Sequence, residues 1–256
     1  MSFTVENLEF YLMLIVRISG FVFTAPFFST TQVPVKIKAG MSIALGIMMA
    51  GMVEYVPMQY VGVFDFAAFL IKELAVGVIL GFSSSICMFI LNFAGQLIDM
   101  EIGFSMVSVF DPVSKVQTTI TGNIYSYFVM LMLLVTNMHY YLLRAILDSF
   151  KAVPIGTVMI PINIYQAFVK FMLDYFIIGF RIILPVFAAT LLVNVVLGVL
   201  AKAAPQMNMF VIGMQLKVIV GLVILWLVMD MIPEVSDFIF TEMRGMVTAI
   251  LKILSS

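Results

Sequence analysis

The feature that most constrains this chain is a series of long apolar runs that are separated only by short polar breaks. A transmembrane helix needs about 20 predominantly apolar residues, and several of the runs reach that length. With 63% hydrophobic and only 11% charged residues, the composition is that of an integral membrane protein. The sequence therefore predicts an all-α, multi-pass membrane protein, with apolar runs at roughly 8–30, 39–53, 74–98, 124–147, 175–201 and 209–233.

The runs differ in length, and one of the polar breaks is short enough to be a turn. The run at 39–53 is too short to span alone, whereas the run at 74–98 can span with some tilt. Uneven lengths indicate that the helices do not all cross a flat bilayer in the ordinary way. The stretch AKAAPQMN (201–208) lies between the last two long runs and predicts a helical hairpin turn.

Charge and cysteine content exclude several classes of function. A net charge of −1 provides no basic surface, so we expect no nucleic-acid partner. The single cysteine, Cys87, excludes an internal disulfide and is expected to be a small core residue. His139 has no second histidine at metal-ligand spacing, and we expect a satisfied packing histidine. Glu6 and Glu9 stand where a cleaved signal peptide carries basic residues, so the first run is expected to be retained.

Ionisable side chains inside apolar runs are costly at membrane depth, and each is a functional hypothesis by default. We expect Arg17 to pair with a carboxylate of a neighbouring helix or subunit, although lining a polar passage remains an alternative. Asn194 is expected to make an interhelical hydrogen bond. The ionisable residues that we single out as polar intramembrane positions are Arg17, Asp99, Glu101, Arg181 and Lys217.

Small residues in the third run predict close helix packing. Gly77 and Gly81 form a G-x-x-x-G pattern, and the serines at 83–85 extend the small surface. Such faces let the backbones of membrane helices approach closely. The pattern favours a packed bundle over a single helix exposed to lipid.

The segment GQLIDMEIGFSMVSVFDPVSK (95–115) is too polar for a plain membrane helix and too apolar for a surface loop. On a helix, Asp99 and Glu101 differ by about 200°, which disfavours a shared catalytic dyad. The residues that follow include Gly, Ser, Asp and Pro, which lower helical propensity. We therefore expect an irregular insertion over 104–122 between two hydrophobic helices, with helix returning only after Gly122.

Irregular backbone at membrane depth is tolerated only inside protein or beside a water-filled cavity. The segment is therefore either a re-entrant loop inside a pore or the broken helix of a secondary transporter. A transporter is expected to carry a matching break in its other half, and no internal repeat is evident. This favours the pore loop. An ion-coupled transporter using Arg17, Asp99 and Glu101 remains the alternative, and no nucleophile or metal constellation suggests an enzyme.

Four motifs of the chain point to one family. They are TAPFFSTTQVPVKIKAGMSIALGIM (24–48), GQLIDMEIGFSMVSVFDP (95–112), DSFKAVPIG (148–156) and APQMNMFVIGMQLK (204–217). Together they resemble the FliR/SctT family of type III secretion export-gate proteins, in its flagellar branch, and the resemblance extends over essentially the whole chain. It is most specific in the last motif, which contains Pro205, Gln206 and Asn208. Gln215 departs from the family, in which proline is common at that place.

The resemblance implies a fold, a location and partners. The fold is expected to be a FliP-like helical part over 1–165, with a plug loop at 104–122, followed by a FliQ-like helical hairpin over 166–256. The implied location is the bacterial inner membrane, within the flagellar basal body. No enzymatic activity and no cofactor are implied. The implied partners are FliP-like and FliQ-like subunits, FlhB, FlhA, membrane lipid and exported unfolded flagellar proteins.

The resemblance also implies roles for residues of the irregular segment. Gly103 and Gly122 are expected to act as hinges, while Asp111 and Pro112 shape the loop. Asp99 and Glu101 are more acidic than is expected for the family at these positions. The side chains expected to fill the lumen of the closed channel are Phe104, Met106, Val109 and Phe110.

Overall fold

The computed structural model describes residues 5–30, 32–54, 60, 62–104, 119–206 and 208–255. These residues form helices without any strand, as the sequence predicts. A short 3₁₀ turn, Met229–Met231, joins the last two helices. The helices are α1 (Val5–Thr24), α2 (Val35–Ala50), α3 (Val63–Ile102), α4 (Ile120–Val135), α5 (Met138–Ala152), α6 (Ile164–Ala203), α7 (Met209–Val228) and α8 (Ile232–Leu254).

Three helical segments in the described part of the chain are long and apolar enough to cross a membrane. They are α3, α6 and the continuous stretch Phe210–Leu254 through α7 and α8. Helices α3 and α6 each contain 40 residues, so each is about 60 Å long, twice the hydrocarbon core of a bilayer. Helix α2 is not among these segments, as expected from its short apolar run.

A bend divides the apolar run predicted at 124–147. Helices α4 and α5 meet at Thr136 and Asn137 with an angle of 73°, and together they form a fourth candidate span. Asn137 has φ 58°, in the left-handed region that asparagine enters more readily than most residues. The sequence analysis took 124–147 as one run and did not predict this break, although Thr136 and Asn137 are polar.

The chain forms two compact units, and each is assembled from separate segments. The first contains residues 1–87, 133–172 and 239–256, and the second contains 88–132 and 173–238. The predicted division at residue 165 concerns likeness to FliP and FliQ chains, so it stays a prediction.

In the first unit, the glycines of α3 bring its backbone against that of α1. A Cβ atom on Gly77 would lie 2.0 Å from the carbonyl oxygen of Arg17. One on Gly81 would lie 2.0 Å from the hydroxyl of Thr24. The Ser85 hydroxyl also donates a hydrogen bond to the Thr24 carbonyl oxygen. The small-residue face predicted for the third run is therefore confirmed as a helix crossing.

In the second unit, α3 and α6 pack through aromatic rings. Phe93 contacts the rings of Tyr175, Phe176 and Phe180, with centroids 5.4–6.3 Å apart. Gly179 faces the Phe93 ring, and a Cβ atom on Gly179 would lie only 2.6 Å from the nearest ring carbon. Helices α6 and α7 form the predicted hairpin, since α6 ends at Ala203 and α7 begins at Met209.

Candidate functional site

The candidate site lies in the second unit, at the described residues on either side of 105–118, which lie within the segment that the sequence predicts to be irregular. Helix α3 ends at Ile102, and the amide of Gly103 donates to the Asp99 carbonyl oxygen at 3.0 Å. Gly103 has φ +97°, a conformation that glycine adopts without strain. Phe104 follows it in a half-buried turn. The other predicted plug residues, Met106, Val109, Phe110, Asp111 and Pro112, lie outside the described residues.

Asp99 connects the end of α3 to the start of α4. Its carboxylate accepts hydrogen bonds from the Ile120 amide at 2.7 Å and the Thr121 amide at 3.2 Å. It also accepts a bond from the Thr121 hydroxyl. The first amides of a helix have no partner within the helix, and a carboxylate beside them also interacts favourably with the helix dipole. Asp99 is therefore the N-terminal cap of α4, supplied from a different helix.

The residue at the ordinary cap position does not fulfil that role. The hydroxyl of Thr119 is buried and has no hydrogen-bond partner among the residues that the structure describes. With the cap supplied by Asp99, α4 begins at Ile120. The expectation that helix returns only after Gly122 is therefore wrong, because propensity alone does not register a cap from another helix.

Two glycines bring α3 and α4 into backbone contact beside this cap. A Cβ atom on Gly95 would lie 2.2 Å from the Cα atom of Gly122. One on Gly122 would lie 2.0 Å from the Thr119 hydroxyl and 3.2 Å from the Cα atom of Asn92. Gly122 is buried in the first turn of α4. This crossing explains why a glycine stands at position 122. The hinge role expected for Gly122 stays a prediction.

Glu101 points away from Asp99, as the helical spacing predicts. It accepts a hydrogen bond from the Thr190 hydroxyl of α6 at 3.2 Å and lines a cleft of about 290 Å³. Lys217 and Asn194 line the same cleft, which also includes Gly103. No carboxylate lies within 4.0 Å of the Lys217 ammonium in the described ranges. The structure thus brings Glu101 and Lys217 into one cleft without a direct ion pair.

The hydrogen bond predicted for Asn194 is not formed within residues 62–104, 119–206 and 208–255. The Asn194 side chain is exposed on α6 and faces the cleft. The interhelical hydrogen bond of Asn194 stays a prediction.

Arg17 forms a buried network in the first unit, so the predicted pairing with a carboxylate is confirmed. Its Nε atom lies 2.6 Å from the Oε2 atom of Glu73, and both side chains are 0% exposed. Its Nη1 atom donates to the carbonyl oxygens of Ser149 and Val153 at 3.1 and 2.9 Å. The amide of Gly156 donates to the Oε1 atom of Glu73 at 2.9 Å. One ion pair thus connects α1, α3 and the segment that follows α5.

Sequence reasoning missed Glu73, although a signal was present. Arg17 stands inside the first apolar run, whereas Glu73 follows Lys72 directly and precedes the run at 74–98. A buried arginine in a membrane protein needs a partner of opposite charge, and a carboxylate beside a long apolar run is a candidate for it.

The remaining predicted polar positions are nearer the surface of the second unit. Arg181 is exposed, with its guanidinium carbon 5.6 Å from the centre of the Phe238 ring. Pro205 and Gln206 are exposed in the α6–α7 turn. The Asn208 side chain accepts a hydrogen bond from the Phe210 amide at 3.2 Å. The hairpin motif therefore ends with the N-terminal cap of α7.

Neither His139 nor Cys87 belongs to a metal site in the described part of the chain, where no group of three potential ligands occurs. His139 packs near the rings of Phe27 and Tyr140. Its Nδ1 atom is buried without a hydrogen-bond partner among the described residues, so the expectation of a satisfied histidine is wrong. Cys87 is a buried free thiol, as predicted.

Comparison with known proteins gives one family and a consistent set of relatives. The profile of the family described as "Bacterial export proteins, family 1" matches residues 8–243. The chain is 28% identical to the flagellar biosynthetic protein FliR of Pectobacterium carotovorum subsp. carotovorum, over 94% of this chain and 92% of that protein. Flagellar biosynthetic protein FliR of Escherichia coli is 28% identical, over 95% and 93% of the two chains. The Bacillus subtilis protein of the same name is 29% identical, over 94% of each.

Proposed function

We propose that this chain, which belongs to the bacterial export proteins, family 1, is a subunit of the flagellar protein export gate. The observation that carries this proposal is the family match over residues 8–243, together with relatives named flagellar biosynthetic protein FliR that align over nearly their full length. An all-α structure with at least three helices able to cross a membrane is consistent with such a subunit. The alternative of an ion-coupled transporter has no support.

The proposed gate function requires no catalytic chemistry, and we propose that the chain is not an enzyme. It acts by forming part of the passage for unfolded flagellar proteins and by closing that passage at rest. Apolar constrictions close pores because water leaves them. An arriving export substrate then shifts the equilibrium from the closed to the open state.

The proposed plug is the part of the predicted segment 104–122 that precedes α4, because residues 120–122 belong to that helix. Phe104, Met106, Val109 and Phe110 supply apolar side chains suited to a dewetted seal, while Asp111 and Pro112 shape the loop. Support for a loop role comes from its two described ends. Asp99 and the Gly95–Gly122 crossing hold these ends together, as expected for a segment that leaves a helical scaffold and returns to it at one place.

The proposed partners are FliP-like and FliQ-like subunits, FlhB and FlhA, within the inner membrane at the flagellar basal body. The surfaces of α6 and α7 are consistent with contacts to partners or lipid, because both helices carry many exposed apolar side chains. These include Phe180, Leu184, Leu192, Ile219 and Trp226. An apolar surface of this size is covered by lipid or by other chains in a membrane assembly.

The assembly proposal is tested by purifying the C-terminally tagged chain from its host in mild detergent and weighing the intact complex by mass spectrometry. Co-purification with FliP-like and FliQ-like chains is the expected result. A lone chain or a simple homodimer would contradict the gate proposal, and solute uptake into liposomes would then be measured.

The plug proposal is tested by deleting residues 106–116 and measuring membrane conductance and salt sensitivity of the cells. We expect the membranes of cells with this deletion to leak ions, because the apolar seal is removed while the ends of α3 and α4 remain. Gly245→Ala, at an exposed position of α8 with nothing within 4 Å of the added Cβ atom, serves as a control that should not leak. Unchanged conductance in an assembled deletion variant would show that the segment is not a plug.

A further inference from the structure

One carboxylate joins the two helices that flank residues 105–118. Asp99 stands near the end of α3 and is only 6% exposed. It accepts hydrogen bonds from two amides and one hydroxyl at the start of α4. These bonds span 21 and 22 positions of the sequence, so they close a loop and do not stabilise a single helix locally.

The surrounding residues leave α4 dependent on this carboxylate. The Thr119 hydroxyl, which could cap α4, is buried without a partner in the described residues. The close approach of Gly95 and Gly122 leaves no room for a side chain at either position. A buried helix start that loses its cap keeps unpaired amides, which is costly.

We propose that Asp99 is a positioning residue that holds the first turn of α4 on α3 and so acts as a stem that keeps the two ends of the proposed plug segment together. This inference rests on the proposed function, because it assigns the stem of the proposed plug. Gly95 and Gly122 complete the stem by allowing the backbones to touch. The stem consists only of these residues together with Ile120 and Thr121.

The stem assignment has a direct physical consequence that does not depend on protein export. The amides of Ile120 and Thr121 should be protected from hydrogen exchange by Asp99. Loss of a helix cap increases local opening, so Asp99→Ala should accelerate exchange in residues 119–124 about five- to thirtyfold. Thr121→Val removes only the hydroxyl bond and should have a smaller effect.

The experiment measures hydrogen–deuterium exchange by mass spectrometry on the complex purified with the full chain. The variants are Asp99→Ala, Asp99→Asn and Thr121→Val. Glu101→Gln is the matched control, because it removes a carboxylate two residues away that bonds to α6 and not to α4. We expect faster exchange at 119–124 in the Asp99 variants and unchanged exchange there in the control.

The outcomes separate this inference from the proposed function. Unchanged exchange at 119–124 in Asp99→Ala, or equal acceleration in Glu101→Gln, would overturn the stem whatever the cells do. If Asp99→Ala does not assemble, Asp99→Asn and Thr121→Val decide by the same measurement. Conductance is recorded in parallel with the deletion of 106–116. If the deletion leaves conductance unchanged, the plug proposal is refuted. The exchange result would still decide whether Asp99 holds the first turn of α4 on α3.

Discussion

At the scale of single residues, the chain uses its few buried charges to fix backbone positions. Arg17 and Glu73 each have two or more partners within the first unit, including carbonyl oxygens and an amide that no other described side chain satisfies. Asp99 performs the same kind of task in the second unit, where its partners are the first amides of α4. Arg17 and Asp99 were singled out because charge in an apolar run is costly, and in the structure they bind backbone groups, as Glu73 does.

Removing one partner of the Arg17–Glu73 pair should be strongly destabilising. Glu73→Ala leaves a fully buried guanidinium without its carboxylate, which costs about 3–5 kcal/mol in comparable sites. The measurement is the thermal midpoint of the detergent-purified protein, followed by fluorescence-detected size exclusion. Glu101→Gln is the control, and it should shift the midpoint little because that carboxylate is only half-buried.

The double replacement Arg17→Met with Glu73→Leu tests whether the effect comes from the unpaired charge. It removes both charges, so it should recover much of the lost stability. A double variant as unstable as Glu73→Ala would show instead that the carbonyl contacts of Arg17 are what hold this part of the unit.

At the scale of helices, glycines in α3 determine how closely its neighbours approach. Gly77 and Gly81 meet the backbone of α1 in the first unit, while Gly95 meets α4 in the second. Both crossings therefore involve the 40-residue helix α3. The G-x-x-x-G pattern predicted only the crossing with α1. Gly95 was not predicted because its partner, Gly122, lies beyond the irregular segment.

Gly77→Ala should weaken the α1–α3 crossing. Its Cβ atom would meet a backbone carbonyl at 2.0 Å, so the helices must separate, at a cost of about 1–3 kcal/mol or more. Gly245→Ala is the opposite control, since Gly245 is exposed on α8 and nothing lies within 4 Å of its Cβ position. There the change should be neutral or stabilising by up to about 1 kcal/mol. Thermal midpoints of the two variants give the comparison, and equal midpoints would contradict the close crossing.

At the scale of the whole molecule, the candidate spans differ in how much of their surface the chain covers. The most apolar window of α3 is 67% buried, whereas those of α6 and of Phe210–Leu254 are 28% and 11% buried. The chain therefore covers α3 with its own helices and leaves the hairpin for lipid or for other chains.

This difference predicts that the chain depends on its proposed partners for stability in cells. When it is expressed without FliP-like and FliQ-like chains, we expect faster degradation after protein synthesis is stopped. Co-expression should lengthen the half-life severalfold, because the hairpin surface is then covered. The half-life is measured by immunoblotting of a tagged chain. An equal half-life with and without partners would indicate that lipid alone covers α6 and α7.

The sequence by itself determined the class of the protein, the approximate helices, the hairpin turn at 201–208 and the opposite directions of Asp99 and Glu101. These features follow from composition and from helical periodicity, which are local properties of the chain. Only the tertiary structure decided that Glu73 is the partner of Arg17, that Asp99 caps α4, that Gly95 meets Gly122, and that a left-handed Asn137 divides the fourth run. Three of these are contacts between distant residues, and the fourth is the backbone conformation of one residue in a mostly apolar run. The local hydrophobic pattern does not encode these contacts or this backbone conformation, because they depend on how the helices pack against one another.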